Sequence, residues 1–152
     1  MTETVVSELV ALLTLERLED NLFRGQSRDI GTKYVFGGQV LGQALSAAQQ
    51  TVEEGRSVHS LHAYFLRAGD ITAPIIFDVD RARDGHSFSV RRVTAIQHGQ
   101  PILVFAASFQ KVEPGVEHQF NMPEVPQPED VAPTAAPSPE VMARLPAKMQ
   151  RW

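Results

Sequence analysis

The sequence predicts an α+β domain in which a long, curved antiparallel sheet closes on one central helix. Three observations predict it. VFGGQVLGQALSAA, Val35 to Ala48, reads as a glycine-started helix built of small residues. Four strand-like runs follow, and the last three are separated by the turn dipeptides Asp84-Gly85 and His98-Gly99. Finally, eight of the ten prolines lie at or after Pro114 and nine of the ten glycines before it, so the folded body spans residues 1–112.

A first helix is expected near Val5–Leu13. In the central helix, Gly38 to Gln50, the apolar residues Val40, Leu41, Ala44, Leu45 and Ala48 recur at helical spacing and form one buried stripe. Gln39, Gln43, Ser46 and Gln50 share the remainder. Gly38, Gly42, Ala44, Ala47 and Ala48 keep the helix thin, which lets a sheet approach its backbone, at roughly 1 kcal/mol of propensity per interior glycine.

Strands are expected near Val58–Phe65, Ile75–Arg83, Ser87–Gln97 and Ile102–Lys111. Asp-Gly is the stronger hairpin signal and His-Gly the weaker. A two-residue turn at Asp84-Gly85 pairs Arg83 with His86, Val79 with Val90, Phe77 with Arg92 and Asp78 with Arg91. A similar turn at His98-Gly99 pairs Val93 with Val104 and Ala95 with Ile102. One face then collects Phe77, Val79, Phe88, Val90, Thr94, Ile96, Leu103, Phe105, Ala107 and Phe109, marred by Arg92. The other carries Asp78, Asp80, Ser89, Arg91, Ser108 and Gln110 beside Val93, Ala95, Ile102 and Val104, a half-polar surface suited to an interface or to solvent. Val58–Phe65 has no hairpin turn to fix its neighbour, so strand order stays open.

A chain of 152 residues is long enough to bury about 68–70% of its unfolded surface in one core. Net charge −4 with scattered basic residues points away from nucleic acid. No cysteine is present, which excludes disulfides, thiolate metal sites and a cysteine nucleophile. The N-terminus lacks the apolar run of a signal peptide or membrane span, so a cytoplasmic location is the default. Residues 113–152 read as a proline-rich linker with a short helix. Proline bars Glu113 to Pro137 from a continuous helix or central strand, while Ser138 to Met149 begins with a capping serine and Pro139 at the first helical position. A chain ending after such a linker reads as part of something longer.

Few residues carry chemistry. His59 and His62 on one strand fall on opposite faces and cannot share a metal ion without a bulge, so no metal site is expected. Gly37-Gly38-Gln39 at a helix start offers backbone N–H groups and a positive dipole end that suit polarising a carbonyl or receiving an anion, although the glycines equally serve a tight chain entry. Asp78 and Asp80 share a strand face, and their nearby arginines favour an ion pair. No G-x-S-x-G elbow exists, which leaves a serine hydrolase unsupported.

Taken in order, LFRGQS (Leu22–Ser27), VFGGQVLGQALSAA, VHSLHAYFLRAGD (Val58–Asp70), the hairpin from Ile75 to Ile102 and VFAASFQ (Val104–Gln110) resemble the N-terminal half of the acyl-CoA thioesterase II family, over roughly Leu12 to Val125. The resemblance implies the hotdog fold and hydrolysis of acyl-CoA to fatty acid and CoA, with no cofactor. It also implies two fused hotdog repeats, the catalytic Asp, Thr or Ser, and Gln lying in the second. This chain matches only the first repeat. A second hotdog repeat or a second copy is therefore its expected partner, and acyl-CoA its substrate.

Within the matched segments, His59 is the candidate auxiliary catalytic residue, and Gly38, Gln39, Tyr64 and Gln110 are the candidate substrate-binding residues. Gln110 occupies the place analogous to the catalytic Gln, but the helix carries Gln39 and Gln43 where a carboxylate would stand, and an amide is no general base. The alternative is a non-catalytic hotdog module that binds acyl-thioesters or serves oligomerisation. A hotdog hydratase would need an Asp/His pair that the sequence lacks.

Overall fold

The computed structural model describes residues 2–131 and 138–145. The chain divides into two units, Met1–Val112 and Glu113–Trp152. In the first, the elements run α1 (Thr2–Leu13), β1 (Glu16–Glu19), β2 (Leu22–Gly25), α2 (Gly37–Gln49), β3 (Arg56–Phe65), β4 (Ile75–Asp84), β5 (Phe88–Gln97) and β6 (Gln100–Lys111). The six strands form one antiparallel sheet in the order β1-β2-β4-β5-β6-β3, so β1 and β3 are its edges.

The core lies between α2 and one sheet face. Phe23, Ile75, Phe77, Val79, Val93, Ala95, Leu103, Phe105 and Phe109 close on Val40, Ala44, Ala47 and Ala48 of the helix. The three alanines are fully buried, so it is alanine rather than glycine that brings the sheet close. Gly42 instead faces Leu13 of α1, and Gly38 lies under the ring of Phe36. The buried side of α2 also differs from the expected stripe: Gln39 and Gln43 are inside, whereas Leu41 and Leu45 are only half-buried.

The hairpin register corrects the sequence reading. Phe77 pairs with Ala95, Asp78 with Thr94, Val79 with Val93 and Asp80 with Arg92, three residues away from the expected partners. An odd shift turns every β5 side chain to the other face. Ser89, Arg91, Val93, Ala95 and Gln97 are therefore the buried set, while Phe88, Val90, Thr94 and Ile96 point outward with Asp78 and Asp80. The cause is the connection: Asp84 pairs with Ser89, a bulge lies between Asp80 and Arg83, and the loop closes through Gly85 N–H donating to Phe88 O at 2.8 Å.

The weaker signal makes the tight turn. His98 (φ 50°) and Gly99 (φ 70°) both take the left-handed conformation of a two-residue turn between Gln97 and Gln100. A bulge between Ala95 and Ile96 then shifts the ladder by one, pairing Ala95 with Leu103 and Val93 with Phe105, and Ile102 is buried as well.

The second unit contains, among the described residues, a 3-10 turn (Pro128–Asp130) and helix α3 (Pro139–Arg144). The Ser138 hydroxyl caps α3 by accepting from Val141 N–H at 3.3 Å. The helix stops short of the expected Met149, with Leu145 in extended backbone as its C-cap, and residues 146–149 and the linker residues 132–137 lie outside the described residues.

Candidate functional site

The start of α2 is built by aromatic rings around two glycines. Phe36 is the N-cap, its carbonyl accepting from Gln39 and Val40 N–H, and no side chain caps the helix. A Cβ at Gly37 would stand 3.1 Å from the Phe65 ring, and one at Gly38 would stand 2.5 Å from Phe36, so both sites exclude a larger residue without displacement of a ring. Beside this start runs a groove of about 390 Å³, with Val35, Val40 and Ile102 buried along it and Tyr34, Phe65 and Leu66 at its mouth.

The groove wall is the 66–74 turn, and Gln97 holds it. Its buried side chain donates through Nε2 to the carbonyls of Asp70 and Ala73 at 2.9 Å each and accepts from Asp70 N–H at 2.8 Å. Gly69 O in turn accepts from Val35 N–H at 3.0 Å, tying the turn to the approach of α2. Asp70 accepts from Thr72 through both hydroxyl and backbone N–H and faces His98 Nε2 at 2.9 Å. These hydrogen bonds, Thr72 foremost, hold its carboxyl down to about 2. Sequence reasoning missed Gln97, whose only signal is a glutamine just before a tight turn.

The candidate residues do not converge. Gly38 is exposed at the helix start. Gln39 is buried, its Nε2 donating to Gln26 O at 3.0 Å and its Oε1 accepting from Arg28 N–H at 3.3 Å, so its amide already serves the chain that leads into α2. His59 sits in a bulge of β3 and is turned to the face away from α2, where Nε2 meets Ser108 Oγ at 2.8 Å and the ring packs edge-on to Phe88. Gln110, paired with Ser57 and Phe88, follows the buried Phe109 and shares that outer face. Six residue steps along β3, about 20 Å, separate His59 from Phe65 at the groove.

Tyr64 is exposed on the outer face and stacks edge-on against His62. Together with Asp78, Asp80, Arg92 and Thr94 they line a second, more polar concavity of about 390 Å³. Because of the bulge, His59 and His62 share this outer face, contrary to the expected alternation. Among the described residues, no three His, Asp or Glu side chains are grouped so as to hold a metal ion. The ion pairs also depart from the expected Asp78–Arg91. Asp80 binds the exposed Arg92, and the buried Arg91 bonds Asp84 Oδ1 at 2.7 Å and both Oγ1 and O of Thr51. Partial burial works against the Asp84 charge, but the bonds from Ser89 and Arg91 keep its carboxyl below the usual range.

The arrangement around α2 can polarise a carbonyl and hold an apolar chain, yet among the described residues lining the groove there is neither carboxylate nor imidazole. A family model described as the acyl-CoA thioesterase N-terminal domain matches residues 24–110. The chain is similar to acyl-CoA thioesterase 2 of Haemophilus influenzae, 52% identical over 126 residues that make up 83% of this chain and 44% of that protein. It is 51% identical over 124 residues to human acyl-coenzyme A thioesterase 8, covering 81% of this chain and 39% of that protein. The crystal structure of the acyl-CoA thioesterase II TesB2 from Mycobacterium marinum superposes with TM-score 0.70 at 47% identity over 80% of this chain and 45% of that one. The phenylacetic acid degradation protein PaaI of Thermus thermophilus, 16% identical with TM-score 0.63 over 70% of this chain, shares the fold across 99% of its own length. The chain thus spans under half the length of the curated relatives it matches.

Proposed function

The chain belongs to the acyl-CoA thioesterase N-terminal domain family, and on that footing we propose that it is the first repeat of a double-hotdog enzyme that hydrolyses fatty acyl-CoA to fatty acid and CoA. The observation that carries the reading is the match over residues 24–110 together with about half identity to named thioesterases. The chemistry of α2 assigns its share of the work. Gln39 and Gln43, the residues on the helix where a base would stand, are amides whose Nε2 groups hold backbone carbonyls. Deprotonation of water therefore belongs to a carboxylate on the second repeat, and this repeat supplies groove walls and positioning.

The second repeat pairs along β3. That strand is ten residues long, lies at the sheet edge and leaves Leu61, Tyr64 and Phe65 exposed, a surface that invites another strand. It replaces the surface expected from sequence, because Val93 and Ile102 are buried in the core. A second copy of the chain is the other partner the same edge can take. The described residues contain no helix long and apolar enough to cross a membrane.

The test uses this chain joined to a second repeat and a thiol-reactive dye that reports released CoA. Hydrolysis that disappears when the carboxylate of the second repeat's helix is changed to its amide, with the fold retained, supports the assignment. Hydrolysis that survives this change refutes it.

A further inference from the structure

The sheet face turned away from α2 is composed like an interface rather than a solvated surface. An antiparallel sheet with one wet face alternates apolar residues inward with polar residues outward, and β5 reverses this. Its outward set, Phe88, Val90, Arg92, Thr94 and Ile96, is more apolar than its buried set of Ser89, Arg91, Val93, Ala95 and Gln97. On β6 the outward Val104, Ala106, Ser108 and Gln110 carry no charge, which leaves Arg92 as the single charge over these two strands. The other titratable groups gather on the strands to either side, Asp78 and Asp80 on β4 and His62 on β3. A mostly uncharged centre within a polar rim is the anatomy of a protein–protein contact.

The pairing ladder decides which partner fits. Asp80, Arg92, Ala106 and His62 stand in one row across β4, β5, β6 and β3, and Asp78, Thr94, Val104 and Tyr64 form the next. Each row has a carboxylate at one end and a hydrogen-bond donor at the other. A two-fold axis parallel to the strands and between β5 and β6 keeps every row at its height and reverses its order, so the surface is complementary to itself. Asp80 then faces the second copy's His62, and Asp78 the second copy's Tyr64 hydroxyl. Arg92 stands over the second copy's Ala106, whose small side chain leaves it room. Stacked sheets lie about 10 Å apart and cross at about 30°, a gap that these exposed side chains span and that the dish of about 390 Å³ between them helps to fill. The four strands, ten to twelve residues each, present about 600 Å² per copy, and two copies together reach the lower end of the roughly 1,200–2,000 Å² that a specific pair buries. We propose that a second copy of this chain packs face to face on the outer sheet surface, β5 over β6, with Asp80 paired to His62 and Asp78 to Tyr64 across the two-fold axis. The contact leaves the backbone edge of β3 open to a second repeat.

Sedimentation equilibrium of the 152-residue chain and two charge variants tests it. Asp80→Lys and His62→Glu should each weaken self-association by at least about tenfold, because each change acts twice across a two-fold axis. Their equimolar mixture should return it to within about threefold of the unaltered chain, since the two altered positions then face each other with opposite charge. Pairing through the β3 edge alone leaves Asp80 remote and responds at most to His62→Glu, and that result overturns the proposal. So does a mixture that associates no better than its components, or an unaltered chain still monomeric at about 1 mM. Should either variant fail to fold, methyl NMR of the unaltered chain decides. The signals of Val90, Thr94 and Val104 are expected to shift as concentration rises, and shifts confined to Leu61 and Ala63 on β3, or none at all, contradict the face-to-face pair.

Discussion

The side-chain amides of Gln39 and Gln43 converge on one acceptor, the carbonyl of Gln26, each at 3.0 Å. Gln43 also donates to Leu12 O at 2.9 Å, so one buried residue of α2 ties the end of α1 to the end of β2. Among the described residues its buried Oε1 has no partner, so the two donor bonds orient the amide. Gln43→Leu is expected to cost about 1–2 kcal/mol in urea unfolding, and Gln43→Glu more, because a carboxylate would face two carbonyls. A Cβ at Gly25 would stand 2.9 Å from the Gln43 amide, so Gly25→Ala should cost clearly less in a Gln43→Ala background than alone.

Adjacent arginines should behave oppositely. Arg91 is 1% exposed and joins Thr51, at the end of α2, to Asp84 at the hairpin, whereas Arg92 pairs with Asp80 in solvent. Arg91→Met should lose roughly 3 kcal/mol, and Arg91→Lys nearly as much because an ammonium cannot fork between Thr51 and Asp84. Arg92→Met should change stability by less than about 1 kcal/mol. Equal losses in thermal or urea unfolding would contradict the observed register.

How much of this was legible in the sequence follows from the same pair. The central helix and four long strands announce themselves by periodicity, and their ends match within about two residues. Which of Arg91 and Arg92 points inward does not, because it depends on a four-residue connection and a bulge that dipeptide statistics cannot supply. Asp84-Gly85 looked like the tight turn, yet His98-Gly99 takes the required positive φ values. β1 and β2, four residues each, are too short to show a pattern, and the candidate site scattered because the Gln39 amide is taken up by Gln26 and Arg28 while His59, Tyr64 and Gln110 lie on the outer sheet face.

Acid should loosen the Asp70–Thr72 turn, while the Gln97 bonds to the backbone of the groove wall stay in place. The Asp70 carboxyl is lowered from 3.8 to about 2 by Thr72 and His98, so its contribution is complete above about pH 4 and is lost as pH falls toward 2. The Thr72 amide proton should report this window by NMR, and Asp70→Asn should abolish the transition. Loss of the Thr72 signal position well above pH 4 would assign control to another group.

His59 should matter little to turnover. It lies on the outer face with Ser108 and Phe88, about 20 Å of strand from the groove. His59→Ala in the two-repeat protein should lower kcat/KM by less than about tenfold, against the ~10²–10⁴ of a lost general base. A thousandfold loss with an unchanged fold would make His59 part of the catalytic group.

The central claim is that this repeat positions the substrate while another supplies the base, and CoA release by the purified chain tests it most directly. The chain has no cysteine, so with the chain alone released CoA is the only thiol in the assay. Short, medium and long acyl-CoAs should remain intact with the chain alone and be hydrolysed once a separately produced second repeat is added. Hydrolysis by the chain alone at ordinary enzyme rates, about 1–10³ s⁻¹, would contradict the account.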